Sequence, residues 1–547
     1  MTDRVQRSKL LLPLVTLPPA LLALGQVVYC WRINAAELGR GLPIDDAYIF
    51  LRYAHNLAAG PGFAFNPGET SFGCTSLVWP VLVAGLQRLL PSADPVALSF
   101  WLGAMLFVAA AAGSAALLLA RTGRAWAALA GGLMVAASPY LFMNAVSGME
   151  TPLTLFLLIG LAALVTAEKP RPLAVGLAAG LMTVNRPESL YFGPVAAGLW
   201  LLLSLLRRRP DGRAPALLFL GWAALALPAA LYIHSHTGSY LPTTYLGKII
   251  AGTPDALHRG LIERLFWSAL SLGDGWTKLA WPMKALAPAL AAGLCSQTWA
   301  AVKAARRADA PLWPAWGWAL LAGYLFLPFV YGFSFPVHPP FGGYYVRYIA
   351  PAQAMFIVVG LTGLVALGKI LAEKYSLPPN RRRTAAVATA VAMIAFQGWL
   401  WSFQFPEALR VFRQEVSLNT GLRREAGLWL HDHVPATDKV MVGYTGLGVI
   451  GYYSDRYCLD VGALINPDIF PYYRKSGQNI PRRREAIIQY MADRHASWYV
   501  SFVLLPGQSD KVADPTADPR FSEAARLGVP GEPARPYDQI RIYRFLP

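Results

Sequence analysis

Residues 97–120 read ALSFWLGAMLFVAAAAGSAALLLA, an apolar run with no charged side chain. It exceeds the roughly 18–20 apolar residues that carry a helix across a bilayer core. Ala214 to Ile233 and Ile349 to Leu371 come close to or above the same length. Of 547 residues, 55% are hydrophobic and only 14% are charged, where a soluble domain carries about a quarter charged residues. This composition excludes a disordered chain, a fibrous one and a lone soluble domain. The chain reads as a polytopic α-helical membrane protein.

Lysine and arginine number 48 against 31 acids, a net charge of +17. A nucleic-acid partner needs that charge gathered on one surface. Here it sits in short knots between apolar runs, so it reports topology instead. The knots are Arg4/Arg7/Lys9, Arg121/Arg124, Lys169/Arg171, Arg207–Arg209 with Arg213, Lys303/Arg306/Arg307, Lys369/Lys374 and Arg381–Arg383. One assignment keeps every knot on the cytoplasmic side: spans near 10–31, 97–120, 125–143, 152–167, 172–185, 189–206, 214–233, 284–302, 312–333, 347–371 and 384–404. That gives about eleven helices, with a cytoplasmic N-terminus and an outer C-terminus in a bacterial-type inner (plasma) membrane. Ser76 to Leu90 is short and holds Pro80 and Arg88. Were it to span, Arg121 and Arg124 would fall outside, so it reads as interfacial or re-entrant.

Two domains follow: a membrane part, residues 1–405, and an extracytoplasmic α/β domain, 406–547. The second opens with a helical pattern over Phe405 to His431. Strand-like runs follow at Lys439–Tyr444, Tyr457–Val461, Trp498–Leu504 and Gln539–Phe545, with a helix near Arg484 to His495. Four cysteines (Cys30, Cys74, Cys295, Cys458) lack metal-ligand spacing. Cys74 and Cys458 share the outer side, where a disulfide between them is the minority outcome.

The chemistry gathers on that outer face. The first loop runs Pro43-Ile44-Asp45-Asp46-Ala47-Tyr48-Ile49-Phe50-Leu51-Arg52-Tyr53-Ala54-His55. Adjacent carboxylates repel, so one must be paired or protonated. Such a pair serves a general base, oxygen ligands for a divalent cation, or a plain cap for the helix that follows. Glu150, Arg186, Glu188, Lys248 and Arg347 also fall in outer loops or at outer helix ends. Ionisable groups at such depth tend to mark a pathway or site. Glu150 and Glu188 also suit helix starts, and the cations suit interfacial snorkelling. His234 and His236, without a third ligand, read as ordinary loop residues.

The loop continues Gly62-Phe63-Ala64-Phe65-Asn66-Pro67-Gly68-Glu69 and Thr75-Ser76-Leu77-Val78-Trp79. Further along stand Ser147-Gly148-Met149-Glu150-Thr151-Pro152, Asn185-Arg186-Pro187-Glu188, Leu241-Pro242-Thr243-Thr244-Tyr245, Tyr345-Val346-Arg347-Tyr348, Gly448-Val449-Ile450-Gly451-Tyr452-Tyr453-Ser454 and Leu459-Asp460-Val461-Gly462. This ordered set resembles the GT-C superfamily of membrane glycosyltransferases, nearest the mycobacterial arabinofuranosyltransferases that use a polyprenyl-phosphate arabinose donor. Asn185, Ser189 and Thr243 depart from the family's usual Thr, Gly and Asn, which bears on the donor more than on the reaction class.

The resemblance implies transfer of a sugar, arabinofuranose-like or another pentose or hexose, from a polyprenyl-phosphate lipid to a hydroxyl on a glycan, lipid or protein. It favours Asp45 as base, with Asp46 as partner or alternate, and implies inversion at the anomeric carbon. Glu150 is the second-loop acid that positions acceptor or base. Arg186, Lys248 and Arg347 are the donor-phosphate candidates; Arg52, His55, Glu188 and Tyr345 are further candidates for substrate contact. A divalent cation stays open, since some superfamily members use one. The outer domain, with its Tyr472-Tyr473-Arg474-Lys475 stretch, is expected to hold the acceptor while the membrane part holds the donor. A transporter would place its ionisable residues near the midplane and often shows inverted repeats. An envelope-assembly protein without transferase activity would explain the outer domain but not the clustered acids and bases.

Overall fold

The computed structural model describes residues 2–546 except 61, 70, 170, 207–211, 241, 245–259, 281–285, 307–316, 319, 322, 327–346, 444–445, 477–478, 503–512 and 529–538. Among the described residues six helices are long and apolar enough to cross a membrane: Leu10–Glu37, Pro95–Thr122, Pro187–Leu205, Arg213–Thr237, Ala350–Lys374 and Pro379–His433. A seventh is a broken pair, Ala125–Ala136 with Pro139–Ala145, bent by 57°. The break has a local cause. The Ser138 hydroxyl accepts from the Leu141 amide and Pro139 takes the first helical position, so a new helix starts there.

The expected count of about eleven is not recovered by length and composition. Spans expected at 152–167 and 172–185 are shorter helices, Thr151–Val165 and Pro172–Asn185. The one expected at 284–302 is the helix Leu286–Arg306, and 312–333 lies mostly outside the described residues. Pro172–Asn185 stops because Pro187 disfavours helical geometry just before it. It lies backbone-to-backbone on Arg213–Thr237: a Cβ added at Gly221 would stand 2.7 Å from the Leu173 carbonyl oxygen. Small residues permit that approach. The helix Val78–Leu89 buries Trp79, Pro80, Val83 and Ala84 and exposes Val81, Leu82 and Leu89, the two-faced pattern of an interfacial helix.

The helix Pro379–Leu418 is about 60 Å long and carries Pro406 within it, so the expected boundary at 405/406 falls inside one continuous element. It ends in a π-helical turn, Asn419–Arg423, where Gly421 is non-helical, and passes into Arg424–His433. Beyond lies a five-stranded sheet: β1 (Lys439–Val442), β2 (Tyr457–Asp460), β3 (Ala496–Phe502), β4 (Phe521–Gly528) and β5 (Gln539–Phe545). Its order is β2-β1-β3-β5-β4. β1 runs parallel to β2 and β3, and β5 is antiparallel to β3 and β4. The helix expected near 484–495 is Ile480–Asp493.

Strand alternation decides how this domain sits. Val440 and Val442 belong to the hydrophobic core that also holds Tyr48, Phe50 and Phe65 of the segment after the first apolar helix. Met441, between them, packs into a second core with Ile487 and Met491. One face of the sheet is therefore spent on the membrane part. That segment lies between the two.

Candidate functional site

The helix Asp45–Ala59 begins with both aspartates in its first turn, where the helix dipole favours negative charge. Adjacent residues on a helix point about 100° apart, and the two carboxylates part company. Asp45 Oδ2 accepts from the Gly448 amide at 3.0 Å, and Oδ1 from the Val449 amide at 2.9 Å. Those amides open the helix Leu447–Ser454, whose unsatisfied N–H groups suit an anion. Glycine is required at 448, since a Cβ there would overlap the Asp45 carbonyl. Burial is the largest influence on the Asp45 carboxyl and raises it above its ordinary value. The Arg423 guanidinium and the two amides oppose the rise, and Asp46 adds to it.

Asp46 turns the other way. Its Oδ2 lies 2.7 Å from Arg347 Nη2, and both line a narrow cleft. Glu150 also lines it. Glu150 is 1% exposed, and its Oε1 lies 3.2 Å from Arg186 Nη1. Arg186 meanwhile grips Glu188, with Nη2 2.8 Å from Oε1, and donates from Nη1 to the Arg347 carbonyl at 3.4 Å. Three acids and two arginines thus converge from the first loop, the starts or ends of three apolar helices, and the segment entering Ala350–Lys374. The buried charges are paired, as burial demands.

Arg52 and His55 lie elsewhere. Arg52 is buried and its three nitrogens donate to carbonyls of Phe65, Gly451 and Arg456; it fastens the first loop to the outer domain. His55 is exposed on the same helix. Lys248 and Tyr345 lie outside the described residues. Cys74 and Cys458 are free thiols. Among the described residues no group of three or more His, Cys, Asp or Glu gathers as metal ligands.

Two of the three departures from the pattern of the resemblance do structural work here. Asn185 accepts from Ser76 Oγ at 2.8 Å and donates to Thr154 Oγ1 at 2.9 Å, tying three elements behind Glu150. Thr243 Oγ1 lies 2.7 Å from the Phe72 carbonyl and 2.8 Å from the Leu464 carbonyl, joining the first loop to the outer domain.

The outer domain supplies the amides that hold Asp45, and Leu464 lines the cleft. The Leu464 position is set by Asp460, which is 2% exposed and accepts at 2.7 Å from the amides of Gly462 and Leu464. Burial pushes the Asp460 carboxyl up to about 7, with Asp45 and Asp46 adding to the rise against its two amides. Sequence reasoning missed Asp460, Arg423 and Thr244. Asp460 and Thr244 stood within quoted motifs, but Arg423 gave no local signal.

Residues 410–537 match a protein family described as a domain of unknown function (DUF8728). Over 235 residues the chain is 31% identical to the terminal β-(1→2)-arabinofuranosyltransferase of Mycobacterium tuberculosis, which covers 40% of this chain and 36% of that one. The alignment thus spans about a third of that relative's length. By fold the chain superposes on ArnT from Cupriavidus metallidurans bound to undecaprenyl phosphate, with a TM-score of 0.51, 14% identity, and 98% and 97% of the two chains covered. The apo form of that protein gives a TM-score of 0.51 at 14% identity, covering 99% and 98%.

The chain has a GT-C-like fold. The superposition runs over almost its full length, outer domain included. In this frame the cleft sits where the loop after the first apolar helix, the ends of further apolar helices and the C-terminal domain meet.

Proposed function

We propose that this chain is an inverting glycosyltransferase that moves a sugar from a polyprenyl-phosphate carrier to a hydroxyl acceptor at the outer face of the membrane. The observation that carries the reading is the paired-charge cleft of Asp46, Glu150, Arg186 and Arg347 beside a separately held Asp45. The ArnT crystal form with undecaprenyl phosphate supports a polyprenyl carrier, and the mycobacterial relative supports arabinofuranose as the first sugar to try.

The reaction joins the acceptor oxygen to the anomeric carbon while the bond from that carbon to the phosphate oxygen breaks. The phosphate leaves with the electron pair as polyprenyl phosphate, and the acceptor's proton passes to a base. Asp45 takes that proton. Burial raises its carboxyl above the ordinary value, which strengthens it as a base, and its two amide contacts leave a lone pair on each oxygen. Asp46 is neutralised by Arg347 and serves to hold that guanidinium, with Arg186, toward the leaving phosphate. Glu150 lies deeper, against Arg186. The acceptor, a glycan, lipid or protein, approaches from the outer domain.

The test uses the purified full chain in lipid nanodiscs with polyprenyl-phosphate arabinofuranose and a small set of glycan acceptors. Mass spectrometry should find free polyprenyl phosphate and an acceptor heavier by one sugar. No release of polyprenyl phosphate from this or any other polyprenyl-phosphate sugar would end the transferase reading. A transporter would instead move intact lipid or sugar across a sealed vesicle.

A further inference from the structure

Two polar atoms on the cleft wall are buried and have no partner. Glu150 Oε2 accepts no hydrogen bond, although the residue is 1% exposed, and Thr244 Oγ1 makes none, although that residue is 5% exposed. Both residues line the same cleft. Buried polar atoms are nearly always satisfied, so two unsatisfied atoms on residues that line one cleft call for a polar occupant. Their chemistry says which. An ionised carboxylate only accepts, whereas a threonine hydroxyl donates or accepts. A phosphate has no proton to give Glu150 and is repelled by it. A sugar hydroxyl gives one and takes the other.

The rest of the cleft agrees. Arg347 and Asp46 mark one part of the wall, and Glu150 is turned toward Arg186 by its other oxygen, 3.2 Å away. Glu150 Oε2 is thereby fixed in direction before any ligand arrives. Thr244 is held through its neighbour Thr243, whose hydroxyl is committed to the Phe72 and Leu464 carbonyls. Both orphans are thus mounted on bonded supports, which is what selective recognition requires.

We infer that Glu150 and Thr244 read hydroxyl groups of the donor sugar and so set which sugar the enzyme accepts. This rests on the transferase reading above. A site built to bond a substrate hydroxyl rejects an analogue that lacks it, because its own buried polar group is then left unpaired.

The experiment compares kcat/KM for wild type, Glu150→Gln and Thr244→Val with the intact polyprenyl-phosphate arabinofuranose and its 2-, 3- and 5-deoxy analogues. In wild type, removing the hydroxyl that Glu150 reads should cost roughly 10–100-fold. In Glu150→Gln that same deletion should cost only about threefold, because the charged partner is already gone. Thr244→Val should erase the penalty at a different hydroxyl. Equal deoxy penalties in wild type and both variants, with a uniform loss across donors, would overturn the inference while leaving the transferase reading intact. Should Glu150→Gln fail to fold, Thr244→Val decides alone by the same comparison. Failure of wild type to use any intact donor would overturn the reading and this inference together.

Discussion

Asp46 Oδ2 and Arg347 Nη2 stand 2.7 Å apart although 301 positions separate them in sequence. The pair joins the start of the first outer helix to the entry of Ala350–Lys374, and it lies on the cleft wall. Its neighbour Asp45 is held by amides of the outer domain instead. Two consecutive carboxylates therefore receive different surroundings, and the account gives them different work.

Arg347→Gln should lower kcat/KM for the donor by roughly 10²-fold, the scale of losing one preorganised charge at a leaving group. It should also weaken inhibition by added polyprenyl phosphate. Arg347→Lys should rescue only part, since a point charge does not reproduce the planar guanidinium. Unchanged inhibition in Arg347→Gln would remove this residue from the leaving group.

Arg52 is a fastening rather than a substrate contact. Arg52→Met strips donors from three carbonyls at the seam between loop and outer domain. Unfolding in detergent should show a loss of about 3 kcal/mol, with the donor KM of the folded fraction nearly unchanged. A large KM change at wild-type stability would return Arg52 to the substrate.

Asp460 gives a pH dependence whose sign is fixed. Its carboxyl stands at about 7 in the folded chain against 3.8 as the ordinary value. The folded state therefore binds more protons between those limits, and stability falls as pH rises through the window. Below about 4 and above about 7 this contribution is flat. The Tm of the wild type should decline from pH 4.5 to 7.5. Asp460→Asn should be less stable overall, because it loses an acceptor for one amide, and its Tm should vary less across the same range. An equally steep decline in the variant would place the titration elsewhere.

Arg423 opposes the rise of the Asp45 carboxyl, against Asp46 and the burial that promote it. Arg423→Gln should move the acid limb of the kcat/KM profile to higher pH. A purely structural loss would lower the whole profile without moving that limb.

Much of this architecture was legible because it is written in local pattern. Length and apolarity announced Pro95–Thr122 and Ala350–Lys374, and β-branched and aromatic runs announced β1, β2, β3 and β5. β4 was not announced: SEAARLG, residues 522–528, faces solvent at most positions and has no apolar alternation. The adjacent acids and the cations at the helix ends were also visible. Their pairing was not, because it is tertiary. Asp45 meets Gly448 across 403 positions, and Arg52 meets Gly451 across 399. A sequence records that Arg52 is charged and near the acids; only packing shows that its donors are already committed.

The central claim is that Asp45 accepts the proton of the attacking hydroxyl, and single-turnover transfer by Asp45→Asn tests it most directly. Labelled polyprenyl-phosphate arabinofuranose is bound to wild type, Asp45→Asn and Asp46→Asn in nanodiscs, and sugar transfer is followed after acceptor is added. The account predicts that Asp45→Asn binds donor as wild type does but transfers about 10²–10⁴-fold more slowly, whereas Asp46→Asn also loses donor affinity. Transfer by Asp45→Asn at the wild-type rate would contradict it.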